Sequence, residues 1–199
     1  MKLITFEGIE GVGKSTQIIL TKEWLENKGY SVNLLREPGS TKFGEKIREI
    51  LLSKDSDISF ETELLLMFAA RSEMIKYLVQ DAAEDFILCD RYYHASIAYQ
   101  GYGRGLSLDL IDSLINGINC PKPELTIIYD LDVKLGFARK SNDVKDRIES
   151  SGLEFFERVR KGYIALAKSE PEIHLIDANT SEQSIHIQSI DLVKEAFDL

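Results

Sequence analysis

The stretch GIEGVGKST, residues 8–16, decides the fold of this chain. It follows the apolar, β-rich run KLITFE (2–7) and precedes a helical stretch at 14–27, so the pattern G-x4-G-K-S stands between a strand and a helix. Glycines at these spacings let the backbone wrap closely around a phosphate, so that successive N–H groups and the helix start face the anion. The stretch therefore predicts a phosphate-binding loop for a nucleoside triphosphate.

Two side chains of this loop have chemistry that suits a triphosphate. Lys14 can reach the β and γ phosphates, and the Ser15 hydroxyl can ligate Mg²⁺. The motif alone is a moderate signal, and the strand before it and the helix after it make the signal strong. The predicted triphosphate-binding residues are Gly8, Ile9, Glu10, Gly11, Val12, Gly13, Lys14, Ser15 and Thr16.

Strands and helices alternate along the rest of the chain. Runs with the composition of buried parallel strands lie at 2–7, 31–37, 85–90, 124–132 and 173–178. Helical stretches lie at 14–27, 61–80, 108–118, 154–168 and 181–197. This alternation requires crossover connections, so we predict an α/β fold in one domain, residues 1–199, with a five-stranded parallel sheet and helices on both faces. In such sheets ligands bind beyond the carboxyl ends of the strands.

Composition and charge narrow the class of protein. Of 199 residues, 44% are hydrophobic and 29% are charged, which is usual for a soluble globular protein. No apolar run approaches the roughly 20 residues of a membrane span, and MKLITFEG is too short for a secretory signal, so we expect a cytoplasmic protein without a membrane partner. The net charge of −9 argues against a nucleic-acid polymer as partner. Cys89 and Cys120 lack metal-ligand spacing and are expected to be buried, reduced thiols.

A second group of chemistry-bearing residues follows the third predicted strand. Asp90, at the carboxyl end of the run 85–90, can hold Mg²⁺ directly or through water. Arg91, beside it, is expected to point into the same cleft and to bridge donor and acceptor phosphates. A guanine-nucleotide switch would carry an N-K-x-D motif, and NKGY at 27–30 fails that pattern. The small size and this second group favour a kinase of a small phosphorylated acceptor.

Six segments together resemble one family. They are FEGIEGVGKSTQ (6–17), REPGST (36–41), GEKIREILL (44–52), FAAR (68–71), DRYYHASIAYQGYGRG (90–105) and DRIE (146–149). In this order, over nearly the whole chain, they are similar to the bacterial thymidylate kinases, which phosphorylate dTMP to dTDP with ATP. The resemblance implies a P-loop kinase fold with a mobile lid at about 138–152, a Mg²⁺ cofactor, a role in dTTP biosynthesis and a homodimer.

The resemblance also implies roles near the acceptor phosphate and sugar. Arg48 would pair with the dTMP phosphate, and Arg91 would contact that phosphate and stabilise charge as the phosphoryl group moves. Glu37 and Pro38, after the second predicted strand, would line the acceptor site near the sugar and phosphate. Glu10, within the phosphate loop, would face the acceptor sugar and belongs to the predicted catalytic set with Lys14, Arg91 and Arg147.

A further set would bind the base. Arg71 would donate to a thymine carbonyl, and Ser96 and Gln100 would hydrogen-bond the base edge. Phe68 would stack on the base, although its apolar neighbours leave core packing as the alternative. Tyr99 would sit where a ribose 2′-hydroxyl would clash, which would favour the deoxy sugar.

Two departures from the family pattern affect the base site. Position 95 is Ala where many relatives have Ser, so one hydrogen bond in the base region is expected to be missing. The stacking aromatic residue usually lies four residues before the arginine, where this chain has Met67, while Phe68 lies three before it. Both spacings can share a helix face with Arg71, so Phe68 is the predicted contact and Met67 its rival.

A third departure lies in the lid. Because the phosphate loop carries Glu10 and no arginine, the family pattern asks the lid to supply a cation over the ATP phosphates. Asn142 occupies the position where an arginine is expected. Arg139, Lys140 and Arg147 are the available substitutes, of which we favour Arg147 because its place in DRIE matches, with Arg139 next as an ATP-binding residue.

Two other functions are compatible with the phosphate loop. One is a related nucleotide or deoxynucleoside kinase with a different acceptor, although Arg48 and Arg91 argue for an acceptor that carries a phosphate. The other is a nucleotide-binding regulator without catalysis, which would be expected to lack Lys14, Asp90 or Arg91.

Overall fold

The computed structural model describes residues 1–140 and 145–199 and contains one five-stranded parallel sheet. Its strands are β1 (Lys2–Glu7), β2 (Val32–Arg36), β3 (Phe86–Asp90), β4 (Leu125–Asp130) and β5 (Ile173–Asp177). The strand order is β2-β3-β1-β4-β5, so the first strand lies in the middle of the sheet. Phe6 and Arg36 are both in register with Asp90, which brings the carboxyl ends of β1, β2 and β3 to one edge.

Helices connect these strands and cover the sheet. They are α1 (Lys14–Asn27), α2 (Lys42–Leu52), α3 (Phe60–Gln80), α4 (Tyr93–Ser96), a π-helical segment (Ile97–Gly103), α5 (Leu108–Gly117), α6 (Val133–Arg139), a short 3₁₀ turn (Glu149–Ser151), α7 (Leu153–Ser169) and α8 (Glu182–Phe197). Ser and Thr side chains cap several of them: Thr41, for example, accepts a hydrogen bond from the backbone of Gly44 at the start of α2.

Both faces of the inner strand β3 are buried. Phe86 and Leu88 of β3 pack in the core cluster that includes residues of α1 and α8. Ile87 and Cys89, which alternate with them, pack in a second cluster with residues of α3. Because successive side chains of a strand point to opposite faces, this division means that helices cover β3 on both sides.

The predicted α/β class and the five-stranded parallel sheet are confirmed. The predicted strand ranges agree with the observed ones to within two residues at every end, and the range of β1 is identical. The π-helical segment Ile97–Gly103 and the short helix α6 were not predicted. The π-helical segment shows the wide backbone bond typical of such turns, from Arg104 N to Tyr99 O at 2.9 Å, and segments of this kind are frequent at functional sites.

Two expectations from composition can be compared with the structure. Cys89 and Cys120 are both free thiols; Cys89 is buried as expected, whereas Cys120 is only half-buried. Within residues 1–140 and 145–199, no helix is long and apolar enough to cross a membrane.

Candidate active site

A cleft of about 470 Å³ opens at the carboxyl ends of β1, β2 and β3. Most of the residues singled out in the sequence line it: Ile9, Glu10, Gly11, Val12, Gly13, Lys14, Ser15, Thr16, Glu37, Pro38, Arg48, Arg71, Asp90, Arg91, Ser96, Tyr99 and Gln100. The predicted residues that are not among its lining residues are Gly8, Phe68, Arg139 and Arg147. The sheet therefore gathers residues from distant parts of the sequence at the edge where such folds bind ligands.

The phosphate loop needs its glycines for two physical reasons. Gly8 has φ 134° and Gly11 has φ 76°, which are conformations that residues with a side chain rarely adopt. A Cβ on Gly8 would lie 2.5 Å from the Tyr129 carbonyl oxygen, and a Cβ on Gly11 would overlap the carbonyl oxygen of Gly136. The loop is thus pressed against β4 and α6, with its backbone N–H groups and the start of α1 left to face the cleft.

Lys14 and Asp90 form an ion pair within the cleft. The Lys14 ammonium lies 2.8 Å from Asp90 Oδ1. Burial lowers the pKa of Lys14, and the nearby Arg91 guanidinium lowers it further. Burial opposes the ionisation of Asp90, but Lys14 and Arg91 hold the pKa of that carboxyl below its ordinary value. The Lys14 ammonium and the Asp90 carboxylate thus face each other in the cleft, where Lys14 can also reach phosphate oxygens.

Two oxygen donors in the cleft suit Mg²⁺. Ser15 contributes a hydroxyl and Asp90 a carboxylate, and both line the cleft. The Asp90 side chain is 29% exposed despite its ion pair, so its carboxylate remains open to the cleft. Mg²⁺ prefers such hard oxygen ligands and takes only one or two of them from the protein when it also binds nucleotide phosphates. These residues fit the ion.

Arg91 links the phosphate loop to the rest of the cleft. Its backbone has φ 67°, and its guanidinium donates to Gly8 O and Glu10 Oε1, both at 2.8 Å. The central carbon of the same guanidinium lies over the Tyr99 ring, 4.8 Å from its centroid. The Tyr99 hydroxyl donates a hydrogen bond to Glu10 Oε1 at 2.9 Å. Arg91 is thereby held at the mouth of the phosphate loop, where a cation would meet phosphate oxygens.

Glu7 is a buried carboxyl whose importance the sequence did not reveal. Its two oxygens accept hydrogen bonds from the Tyr92 backbone at 2.8 Å and from the Tyr163 hydroxyl at 2.7 Å. Burial raises the pKa of Glu7 to about 7, although the Arg91 guanidinium pulls it the other way. Through these bonds Glu7 supports the turn that carries Arg91.

The Glu7 side chain predicts a pH dependence of stability. The folded protein holds the Glu7 proton up to a pKa of about 7, whereas the unfolded chain releases it near the ordinary value of 4.5. The contribution of Glu7 to the free energy of unfolding is therefore complete below about pH 4.5. It is lost as the pH rises through about 7, and the loss amounts to up to about 3 kcal/mol. Urea unfolding of wild type and Glu7→Gln at about pH 5 and about pH 8 measures it: the loss should be absent in Glu7→Gln. An equal loss in both proteins would contradict this assignment.

Arg71 and Glu37 form a buried ion pair at the other end of the cleft. Arg71, on α3, is 1% exposed, and its Nε donates to Glu37 Oε2 at 2.8 Å. Its NH2 group also donates to Ser96 Oγ at 3.1 Å and to Tyr92 O at 3.2 Å. The remaining nitrogen, NH1, is buried without a hydrogen-bond partner among the described residues. A buried donor without a partner is costly, so this atom is a candidate contact for a ligand carbonyl.

Two further arginines stand between these ends. Arg48, on α2, donates to Pro38 O at 2.9 Å, and both residues line the cleft. Arg36, at the end of β2, also lines the cleft and pairs with Glu45 at 2.9 Å. Arg36 is not among the predicted site residues, although its place at a strand end, as the first residue of REPGST (36–41), was an available signal.

The prediction for Phe68 is wrong in position. Phe68 is 3% exposed and packs with Leu64 and Ile111 in a core cluster, while Met67 lines the cleft. The Phe68 ring instead supports the Arg71 guanidinium, whose central carbon lies 4.5 Å from the ring centroid. Because Met67 and Arg71 are four residues apart on α3, they occupy the same helix face, and the apolar side of α3 takes Phe68 into the core.

The lid prediction needs a similar correction. Arg147, favoured as the cation over the ATP phosphates, donates to Glu63 Oε2 at 2.7 Å and to Leu51 O at 2.8 Å. A buried carboxylate and a helix-end carbonyl therefore hold it away from the phosphate loop. Arg139 reaches the outer side of the loop, donating to Gly11 O at 3.4 Å and to Ala178 O at 3.2 Å.

Lys140 is the lid cation that lines the cleft. It forms an ion pair with Glu149 Oε1 at 2.5 Å, and both residues line the same cleft as the phosphate loop. Asn142, the position where an arginine was expected, lies outside the described residues.

Comparisons with known proteins agree with this geometry. Residues 6–189 match the family model described as thymidylate kinase. Proteins named thymidylate kinase from Kosmotoga olearia and Nostoc punctiforme are 42% and 45% identical to the chain, covering 94% and 92% of it and 92% and 91% of their own sequences. A crystal structure of thymidylate kinase from Ehrlichia chaffeensis superposes with a TM-score of 0.79 at 32% identity, covering 97% of this chain and 98% of that one.

Proposed function

The chain belongs to the thymidylate kinase family, and we propose how the residues of its cleft carry out that family's reaction. The enzyme transfers a phosphoryl group from ATP to dTMP and produces dTDP. The reaction needs no covalent intermediate with the protein. It requires two anionic substrates held in line and positive charge placed between them.

The phosphate loop and its neighbours form the donor side. The backbone N–H groups of the loop and the start of α1 surround the ATP phosphates, and Lys14 binds their β and γ oxygens. Ser15 and Asp90 are the residues that would hold Mg²⁺. When bound, Mg²⁺ neutralises charge on the phosphate oxygens.

The acceptor side lies between α2, α3 and the turn after β3. Arg48 and Arg91 bind the dTMP phosphate, and the unpartnered NH1 of Arg71 donates to a carbonyl of the base. Ser96 and Gln100 line the same end of the cleft and bind the base edge.

The sugar and one face of the base complete the acceptor site. Met67 takes the place assigned to Phe68 against the base, because it is the residue that lines the cleft. Glu10 and Tyr99, joined by their hydrogen bond, face the sugar together with Glu37 and Pro38. The Tyr99 ring stands where the 2′-hydroxyl of a ribonucleotide would clash.

One observation carries this assignment most directly. Arg91 contacts Gly8 O and Glu10 of the donor loop while it faces the acceptor half of the same cleft. A guanidinium in that position can bridge the transferred phosphoryl group and the attacking phosphate, and it stabilises charge that develops between them.

A coupled ADP-release assay tests the acceptor. The assay supplies ATP and Mg²⁺ with dTMP, dUMP, UMP, dCMP or thymidine. Turnover confined mainly to dTMP is the expected result. Turnover on another acceptor would still indicate a kinase but would contradict the base-site roles of Arg71, Ser96 and Gln100. ATP binding without turnover on any acceptor would favour a nucleotide-binding regulator.

The lid cation gives a separate prediction. We expect Lys140→Met to lower kcat about 30-fold, because it removes the lid charge that borders the phosphate loop. Arg147→Met is the matched variant, and we expect it to change kcat by less than about threefold because Glu63 and Leu51 hold Arg147 elsewhere. Steady-state kinetics with saturating dTMP measures both. A large loss of kcat in Arg147→Met, together with a near-normal kcat in Lys140→Met, would favour Arg147 as the cation over the ATP phosphates.

We also propose a homodimer, a single domain with a mobile lid and a cytoplasmic location. The dimer rests on the family resemblance and on exposed apolar side chains of α3, of which Phe60 is 46% and Leu65 is 55% exposed. Light scattering coupled to size-exclusion chromatography tests it. A monomer at assay concentrations would contradict it.

A further inference from the structure

Glu63 is a fully buried carboxylate that faces three basic or amide side chains. It lies on α3 and its side chain is 0% exposed. Gln100 Nε2 donates to its Oε1 at 2.9 Å. Arg104 donates to both oxygens, at 3.2 Å and 3.1 Å, and Arg147 donates to Oε2 at 2.7 Å. Neither the phosphate loop nor the Arg71–Glu37 pair takes part in these contacts.

The surroundings of Glu63 keep it ionised. Burial alone would favour the protonated form, but the hydrogen bonds from Arg104, Gln100 and Arg147 hold the pKa of Glu63 below its ordinary value. An ionised carboxylate can only accept hydrogen bonds. Gln100 must therefore present its Nε2 group to Glu63, and a flipped amide would set two acceptor oxygens against each other.

This constraint determines what Gln100 offers to the cleft. Gln100 is 2% exposed, sits in the π-helical segment Ile97–Gly103 and lines the cleft. With Nε2 engaged by Glu63, its carbonyl oxygen Oε1 is the atom left to accept a hydrogen bond from a bound molecule. The amide of Gln100 thus acts as an acceptor of fixed direction.

We propose that Glu63 is a positioning residue that sets the base preference of the enzyme by fixing the direction of the Gln100 amide. Oε1 of Gln100 accepts from the N3–H of thymine, whereas cytosine presents an acceptor at N3 and leaves both atoms unpaired. The inference rests on the proposed function, in which the base lies against Gln100. Arg71 also contacts the base, but Glu37 holds it and Glu63 does not touch it.

The test compares the dissociation constants of dCMP and dTMP at neutral pH, by calorimetry, in wild type and Glu63→Gln. In Glu63→Gln the neighbouring amide can donate or accept, so Gln100 is free to turn. A buried hydrogen-bonding mismatch is what rejects the wrong base, and a Gln100 amide that can turn removes this mismatch for cytosine. We therefore expect the ratio of the dCMP dissociation constant to the dTMP dissociation constant to fall about tenfold. The affinity for ATP is expected to stay within about twofold.

Two controls separate positioning from a general loss of structure. Arg147→Met removes a bond to the other carboxylate oxygen of Glu63 and should leave the ratio unchanged. Gln100→Met should lower the ratio by itself, and adding Glu63→Gln to it should produce no further change. If Glu63 had only a structural role, Glu63→Gln would weaken the binding of dCMP and dTMP equally and leave the ratio of their dissociation constants unchanged.

A second variant covers poor folding of Glu63→Gln. Glu63→Asp keeps the charge that faces the two arginines and withdraws the carboxylate from Gln100, so it should also lower the ratio. An unchanged ratio in either folded variant, with dTMP still bound, would overturn the inference. Failure of wild type to bind or turn over dTMP would instead contradict the proposed function.

Discussion

Arg91→Met is expected to lower kcat about a thousandfold while the affinity for ATP stays within about threefold. Arg91 spans the two halves of the cleft, since it contacts Gly8 and Glu10 of the donor loop and faces the acceptor site. Its charge therefore has its largest effect on the transferring phosphoryl group and a smaller one on bound ATP. Steady-state kinetics and titration with a non-hydrolysable ATP analogue measure the two quantities.

The control for this variant is Arg160→Met. Arg160 pairs with Asp130 at 2.7 Å, is 27% exposed compared with 17% for Arg91, and does not line the cleft. We expect its kcat to stay within about twofold of wild type. If Arg91→Met weakened ATP binding as much as it slowed turnover, Arg91 would belong to the donor site and the bridging role would be wrong.

Arg71→Met is expected to destabilise the protein by about 3–5 kcal/mol and to weaken dTMP binding about a hundredfold. The loss of stability follows because Glu37 would be left as a buried charge without its cation, and Glu37 is only 6% exposed. The loss of affinity follows because the NH1 donor, which has no hydrogen-bond partner among the described residues and which we propose binds the base, disappears. Urea unfolding and calorimetric titration with dTMP measure the two effects.

The double variant Arg71→Met/Glu37→Gln separates these two effects. It removes the uncompensated charge, so we expect it to recover most of the lost stability. The affinity for dTMP should stay low because the arginine donor is still absent. Recovery of both quantities would mean that Arg71 acts on the nucleotide only through the fold, and the base-binding role would then fail.

Much of the donor site could be predicted from the sequence because its pattern is local. The G-x4-G-K-S loop is contiguous, it follows a strand and precedes a helix, and its glycines at 8 and 11 have the positive φ that such a loop requires. The alternation of strands and helices likewise determined the parallel sheet, and the sheet then brought Asp90 and Arg91 to the phosphate loop.

The contacts across the cleft could not be predicted because they depend on packing between distant elements. Met67 and Phe68 lie four and three residues before Arg71, and only the packing of α3 against Ile111 of α5 decides which one faces the cleft. Arg147 matched the expected motif, yet its side chain meets Glu63, 84 positions away in the sequence.

The sequence by itself determined the fold class and the triphosphate loop, because each follows from local spacing or from a motif of adjacent residues. The residues expected at the second substrate's site came from the resemblance of six segments to one family. Only the tertiary structure decided which residue of α3 lines the cleft, which basic residue after α6 lines it and which groups Glu7 and Glu63 contact. Those properties arise from burial and from hydrogen bonds between groups far apart in the chain, such as Glu7 with Tyr163, and residue order alone does not encode the distances involved.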